Sequence, residues 1–133
     1  MTLKLSVAHL TVDNPELALT FYRDALGLNL VGDVSNGPFR WLTLVSPDQP
    51  EVQIVLSQPH AGRTQEDGDT VARLLAKGSL GGAIFSSSDL NATFEKLRAA
   101  RADIVQEPTD QPWGVRDCAV RDPAGNMIRI SQA

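Results

Sequence analysis

Two histidines, His9 and His60, and one cysteine, Cys118, are the whole supply of imidazole and thiol groups in this 133-residue chain. An imidazole titrates near neutrality and can act as a general acid or base, so His9 is the one candidate for catalysis. His60 falls in a polar stretch and is expected to be solvated. A lone cysteine can form neither an intrachain disulfide nor a thiolate cluster, which fits a reducing compartment. No Ser-His-Asp arrangement, glycine-rich phosphate loop or paired-carboxylate signature stands out. The other notable groups suit binding better than reaction: Trp41 and Trp113 can stack, and Arg129 can clamp an anion.

These side chains need elements to position them. Residues 3–11 read as a strand of apolar and β-branched residues. Asn14-Pro15-Glu16 starts a helix, with Asn14 as cap, Pro15 at the first helical position and Glu16 at the positive end. That helix runs to about Leu26, burying Ala18, Phe21, Tyr22 and Ala25, and Gly27 closes it. Strands follow at 28–34, 39–45 and 51–57. The order then repeats: a strand at 81–87, a helix from Asp89 burying Leu90, Phe94 and Leu97, a short strand at 104–107, and a hairpin of 115–121 and 127–131. Asp122-Pro123-Ala124-Gly125-Asn126 turns that hairpin.

Shifting the chain by 76 residues aligns the halves without a gap. Asp13 meets Asp89, Phe21 meets Leu97, Arg40 meets Arg116, Pro47 meets Pro123 and Ile54 meets Ile130. The expected fold is therefore α+β: two tandem βαβββ modules forming a half-barrel-like mixed sheet, with helices on the convex face. The chain is one domain, 1–133, with module 1 at about 3–57, a linker at about 58–79 and module 2 at about 80–132. Within the linker, 60–69 reads as a loop and 70–77 as a short helix, so a plain linker is favoured over a lid.

Composition limits the partners. Apolar residues make up 42%, enough for a core, and the net charge of −4 offers no basic stripe for nucleic acid. The N-terminus turns polar too early for a signal peptide, and no apolar run approaches the ~20 residues of a membrane span. The expected location is cytoplasmic.

The string AHLTVDNPELALTFYRDALGLNLV resembles the opening of the vicinal oxygen chelate superfamily, which includes glyoxalase I, extradiol dioxygenases and bleomycin-resistance proteins. The PWG at 112–114 and the RDPAGNMIRI that follows look like its closing hairpin. The fold hosts many functions, so the resemblance fixes none. It implies four metal-ligand positions, falling here on Val7, Gln53, Ala83 and Arg129, paired by the repeat as Val7 with Ala83 and Gln53 with Arg129. Val and Ala have no lone pair, Gln is a weak neutral ligand, and Arg repels a dication. No metal and no cofactor are therefore expected.

If Val7 and Arg129 face the concave side, strand alternation brings His9, Gln53, Val55, Ala83, Phe85 and Ser87 with them. Asp117, Ala119, Arg121 and Met127 join through the hairpin, and Trp41 through its pairing with Asp117. Ile128, Ile130 and Cys118 then face the helix layer. The expected ligand-binding set is His9, Trp41, Gln53, Phe85, Trp113, Asp117 and Arg129. In bleomycin-resistance relatives an aromatic near the position of Trp113 lines the drug cleft, so Trp113 either forms a stacking wall or packs at the module or dimer junction. Arg129 either clamps an anionic ligand or pairs with Asp117, with the pair favoured. The resemblance thus implies a metal-independent binder of an aromatic or amphiphilic small molecule, an antibiotic to be sequestered being one candidate, as a homodimer. The reading leans against an enzyme. The alternative is a glyoxalase-like lyase or isomerase, or a dioxygenase relative, using a metal or His9.

Overall fold

Asn14 caps the first helix as its sequence implies, accepting hydrogen bonds at Oδ1 from the backbone N–H groups of Glu16 (3.1 Å) and Leu17 (3.2 Å). In the computed structural model, which describes residues 2–133, this helix is α1 (Pro15–Leu19), and it widens into a π-helical stretch, Thr20–Ala25. The Leu26 N–H bonds five residues back to the Phe21 carbonyl. The wider turn lets the adjacent Phe21 and Tyr22 both enter the core, where their rings meet edge to face at 4.8 Å.

Around it run β1 (Val7–Thr11), β2 (Asn29–Asn36), β3 (Phe39–Ser46) and β4 (Gln49–Ser57), forming one sheet in the order β1-β4-β3-β2. After α2 (Gln65–Ala76), the second module places β5 (Ala83–Ser87), α3 (Leu90–Ala99), β6 (Asp103–Asp110), β7 (Arg116–Arg121) and β8 (Met127–Gln132) in a sheet ordered β5-β8-β7-β6. In each sheet the first and last strands of the module run parallel and the other pairs antiparallel. The expected α+β fold of two βαβββ units is what forms, without closure into a barrel.

The two modules share one core. Leu10, Val12, Tyr22, Leu42, Leu44 and Leu56 of the first lie in the same buried cluster as Leu90, Phe94, Leu97, Val120, Ile128 and Ile130 of the second. Cys118 is fully buried in it. Burial first, and then the charge of Asp117, push its thiol up from the usual value, so it is a small core residue rather than a nucleophile.

The insert between the modules departs from expectation. The helix begins at Gln65, inside the stretch read as a loop, because Thr64 caps it through Oγ1 to the Asp67 N–H at 3.2 Å, with Glu66 and Asp67 in its first turn. Leu75 of α2 is buried in the shared core, so the insert is packed onto the modules. His60 is half-buried rather than solvated. Its Nε2 lies 2.8 Å from Asp69 Oδ1, a bond that holds the Asp69 carboxyl below its usual range. Its ring covers Gly68, where a side chain would collide with it. Among the described residues no helix is long and apolar enough to cross a membrane.

Candidate functional site

The face of each sheet away from the core is where ligand chemistry can occur, and pairing fixes which residues reach it. Leu42 and Leu44 on β3, Leu56 on β4, and Ile128 and Ile130 on β8 are buried on the core side. Alternation then places Trp41, Gln53, Val55 and Arg129 on the other, concave side. Val7 and His9 share that side, because their neighbours Leu10 and Val12 are buried. Trp41 stands opposite Val34 of β2, and Gln53 opposite Val7 of β1.

Three expected positions are corrected. Phe85 does not face the concave side: it packs against the core, as does Ala83. Ser87 likewise turns to the helices, its Oγ 2.8 Å from Thr93 Oγ1 on α3. The outward residues of β5 are Ile84, which is 73% exposed, and Ser86. Register explains the difference. Val7 lies opposite Gln53, and it is Ile84, not Ala83, that lies opposite Arg129. The first strands of the modules are thus offset by 77 residues while β4 and β8 keep 76. One extra residue turns every side chain of a strand over. Along β3 and β7 the offset is 74, because Val45 faces Gln53 and Ala119 faces Arg129. That slip is even and leaves the faces unchanged. The helix caps are Asn14 and Asp89, so Asp13 is not the counterpart of Asp89.

The mouth positions implied by the family resemblance thus become two pairs, Val7 opposite Gln53 in the first sheet and Ile84 opposite Arg129 in the second. Between them they offer one neutral amide oxygen and a permanent cation, which does not fit a divalent ion. Among the described residues no three His, Cys, Asp or Glu side chains converge well enough to hold one.

Arg129 instead belongs to a polar network on the second module. Its Nη1 donates to Asp117 Oδ2 at 3.5 Å, a long contact, so the pair exists but is loose. Asp117 is only 5% exposed. Its other oxygen accepts a 2.8 Å bond from Gln111 Nε2, which also donates to Gln106 Oε1 at 3.0 Å. The network anchors the start of the turn at residues 111–114, which Gly114 completes at φ +92° by donating to the Gln111 carbonyl. Trp113 projects from this turn, 69% exposed. An exposed indole on an anchored turn can stack on a planar ligand, and the open part of the Arg129 guanidinium can meet an anionic group.

His9 lies apart from this network. It lines a cavity of about 330 Å³ with Thr11, Arg63, Gly81, Gly82 and Asn126. Among the described residues no carboxylate lines that cavity, so His9 has no acidic partner there.

Asn126 ties the cavity to the junction between modules, a feature not evident from the sequence. The buried Asp122 receives the Tyr22 hydroxyl at 2.6 Å and the backbone N–H groups of Ala124, Gly125 and Asn126 at 3.0, 2.9 and 2.8 Å. Asn126 Nδ2 donates both to Asp122 Oδ2 (2.9 Å) and to the Thr11 carbonyl (2.7 Å). Two acceptors at one amide nitrogen fix its orientation, since a flip would set oxygen against oxygen. This leaves the buried Asn126 Oδ1 without a partner among the described residues. The turn chemistry of DPAGN was a legible signal; its reach to Tyr22, a hundred residues away, was not.

Comparison with known proteins agrees with this architecture. The chain matches the pattern of the Glyoxalase/Bleomycin resistance protein/Dioxygenase superfamily over residues 4–130. It is similar to the crystal structure of UcmS2, at 31% identity over the full length of both chains with a TM-score of 0.88. It is 29% identical to the uncharacterized protein YurT of Bacillus subtilis (strain 168) over 130 residues, 98% of this chain and 99% of that one. The fold is also shared with TnmS3, described as an antibiotic binding protein from Streptomyces sp. CB03234, at 24% identity, TM-score 0.75, and 98% and 96% coverage.

Proposed function

The chain belongs to the Glyoxalase/Bleomycin resistance protein/Dioxygenase superfamily, and on that premise we propose that it is a metal-independent small-molecule binding protein of the bleomycin-resistance type. Its ligand is an aromatic or amphiphilic compound, an antibiotic among the candidates, held against the concave face. The observation that carries this reading is the composition of the four mouth positions: Val7, Ile84, Gln53 and Arg129 supply apolar surface, one amide and one cation where the family's enzymes need anionic or imidazole donors. Trp41 and Trp113 supply stacking surface, and Arg129 supplies charge.

Val7, Val34, Ile84 and Trp113 are exposed in the single chain. Such apolar exposure supports a homodimer in which a second copy closes the cleft. An acid–base role for His9 is less well supported, because its cavity brings it beside Arg63 and no carboxylate among the described residues. The fold shared with an antibiotic binding protein is consistent with sequestration.

A panel of glycopeptide, quinone and polyketide compounds tests the proposal, read by tryptophan fluorescence and thermal shift. At least one compound is expected to quench saturably. At a concentration one hundredfold above its Kd it should add about 2.7 kcal/mol of stability. Trp41→Ala should weaken that compound roughly tenfold or more, the usual loss for a stacked aromatic anchor. Absence of quenching and stabilisation across the panel would contradict the reading.

A further inference from the structure

On the helix side, away from the concave face, the π-helical stretch after α1 and the end of α3 enclose a second cavity, of about 280 Å³. Leu17, Phe21, Ala25, Ala100, Ala102 and Pro123 give it mostly carbon walls. At its rim lies Arg101, the one non-glycine residue with positive φ (60°) among the described residues. Arg101 closes α3: its N–H bonds to the Arg98 carbonyl, and the Ala102 N–H to the Leu97 carbonyl. This is the helix-end position that ordinarily takes glycine. The duplicated unit supplies its own control, because Gly27, at φ +82°, closes the first helix at the matching place. Module 1 thus keeps glycine where module 2 accepts a strained arginine.

Among the described residues Arg101 takes part in no ion pair. The arginines that do are Arg23, Arg40, Arg98, Arg116 and Arg129. Of the other charged groups lining the cavity, Asp103 stands opposite Arg121 in the register of β6 and β7 without a direct ion pair, Arg121 Nη1 donates to the Gly125 carbonyl at 2.8 Å, and both oxygens of Asp122 are taken by Tyr22, Asn126 and the turn amides. A guanidinium outside any ion pair, at the rim of a mostly apolar cavity, matches an anionic head on an apolar body. The volume lies just below the ~300 Å³ at which ligand pockets usually start, so the body is a short chain or single ring.

We propose that this cavity is a second binding site, separate from the concave face, for a small amphipathic carboxylate whose head pairs with Arg101 and whose apolar part lies against Leu17, Phe21, Ala25 and Ala102. Octanoate is the probe, titrated into the full chain and followed by calorimetry and by NMR of the alanine methyls and tryptophan indoles. Saturable binding is expected, with shifts at Ala25 and Ala102 and none at Trp41 or Trp113. Arg101→Gly should weaken octanoate about tenfold, the loss of one charged pair. It should fold at least as stably as the parent, since Gly27 already fills the matching position. Octanol, lacking the carboxylate, should bind parent and variant alike. The proposal is overturned if the parent does not bind octanoate saturably, if Arg101→Gly keeps its affinity, or if the shifts fall on the tryptophans.

Discussion

Replacing Asp122 by alanine is expected to lower stability by roughly 4 kcal/mol, among the largest effects of any single substitution in this chain. The carboxylate is 3% exposed and joins the two modules. It accepts the Tyr22 hydroxyl, three backbone N–H groups of its own turn and the Asn126 amide. Alanine would strand the Tyr22 hydroxyl and the Ala124 and Asn126 N–H groups, at about 1–3 kcal/mol for each that finds no water, while the Gly125 N–H keeps the residue-122 carbonyl and the Asn126 amide keeps the Thr11 carbonyl. Tyr22→Phe removes one donor and leaves the others satisfied, so its cost should be nearer ~1.5 kcal/mol. Urea unfolding of both variants separates the two values. A loss below about 1 kcal/mol for Asp122→Ala would show that the junction does not depend on this network. The same contact has a pH signature. Burial first, then Asp122, push the Tyr22 phenol well above its ordinary value of 10.0. The contribution of Tyr22 is therefore complete below its unfolded pKa and is lost as pH rises above it.

Gly82→Ala is expected to be nearly as damaging, at about 3 kcal/mol or more. A β-carbon at Gly82 would overlap the backbone carbonyl oxygen of Met127, and neither atom can swing aside as a long side chain could. Gly82 leads into β5, whose Ala83 pairs with Ile128 just past that carbonyl. A methyl group there must push β5 from β8 or distort the hairpin turn, and Ile84 and Arg129 would lose their alignment. Thermal unfolding compares the variant with Gly81→Ala, where a β-carbon meets nothing within contact distance. Equal melting temperatures for the two would contradict the steric argument.

The same glycines show why part of the site was hidden in the sequence. The phase of a strand is legible when polar and apolar residues alternate, as in Ile128-Arg129-Ile130-Ser131, whose isoleucines face the core as expected. The run Gly81-Gly82-Ala83-Ile84-Phe85 has no such alternation. Nothing in it says whether Ile84 or Phe85 faces inward, and the gapless repeat chose the wrong one. The 77-residue offset of β1 and β5 appears only in the pairing with β4 and β8.

Local chemistry was more readable than distant chemistry. Asn14-Pro15 and Asp89 start helices, and Gly27 ends one, because each acts within a turn of its own position. Thr64 carried the same kind of signal, masked by the polar residues around it. The bond from Tyr22 to Asp122 and the network from Arg129 to Gln106 join residues from different elements, and single-sequence patterns hold no information on such pairs. The favoured pairing of Arg129 with Asp117 was legible because it needed only the register of one hairpin.

The proposed absence of a divalent metal at Val7, Gln53, Ile84 and Arg129 follows from the chemistry of those side chains. It is tested most directly by incubating the purified chain with Zn, Ni, Fe or Mn salts, desalting it, and measuring bound metal by elemental analysis. The expected result is far less than one equivalent per chain for every ion, with binding of the quenching compound unchanged by chelator. One tightly held equivalent of any of these metals, removed by chelation together with ligand binding, would contradict it.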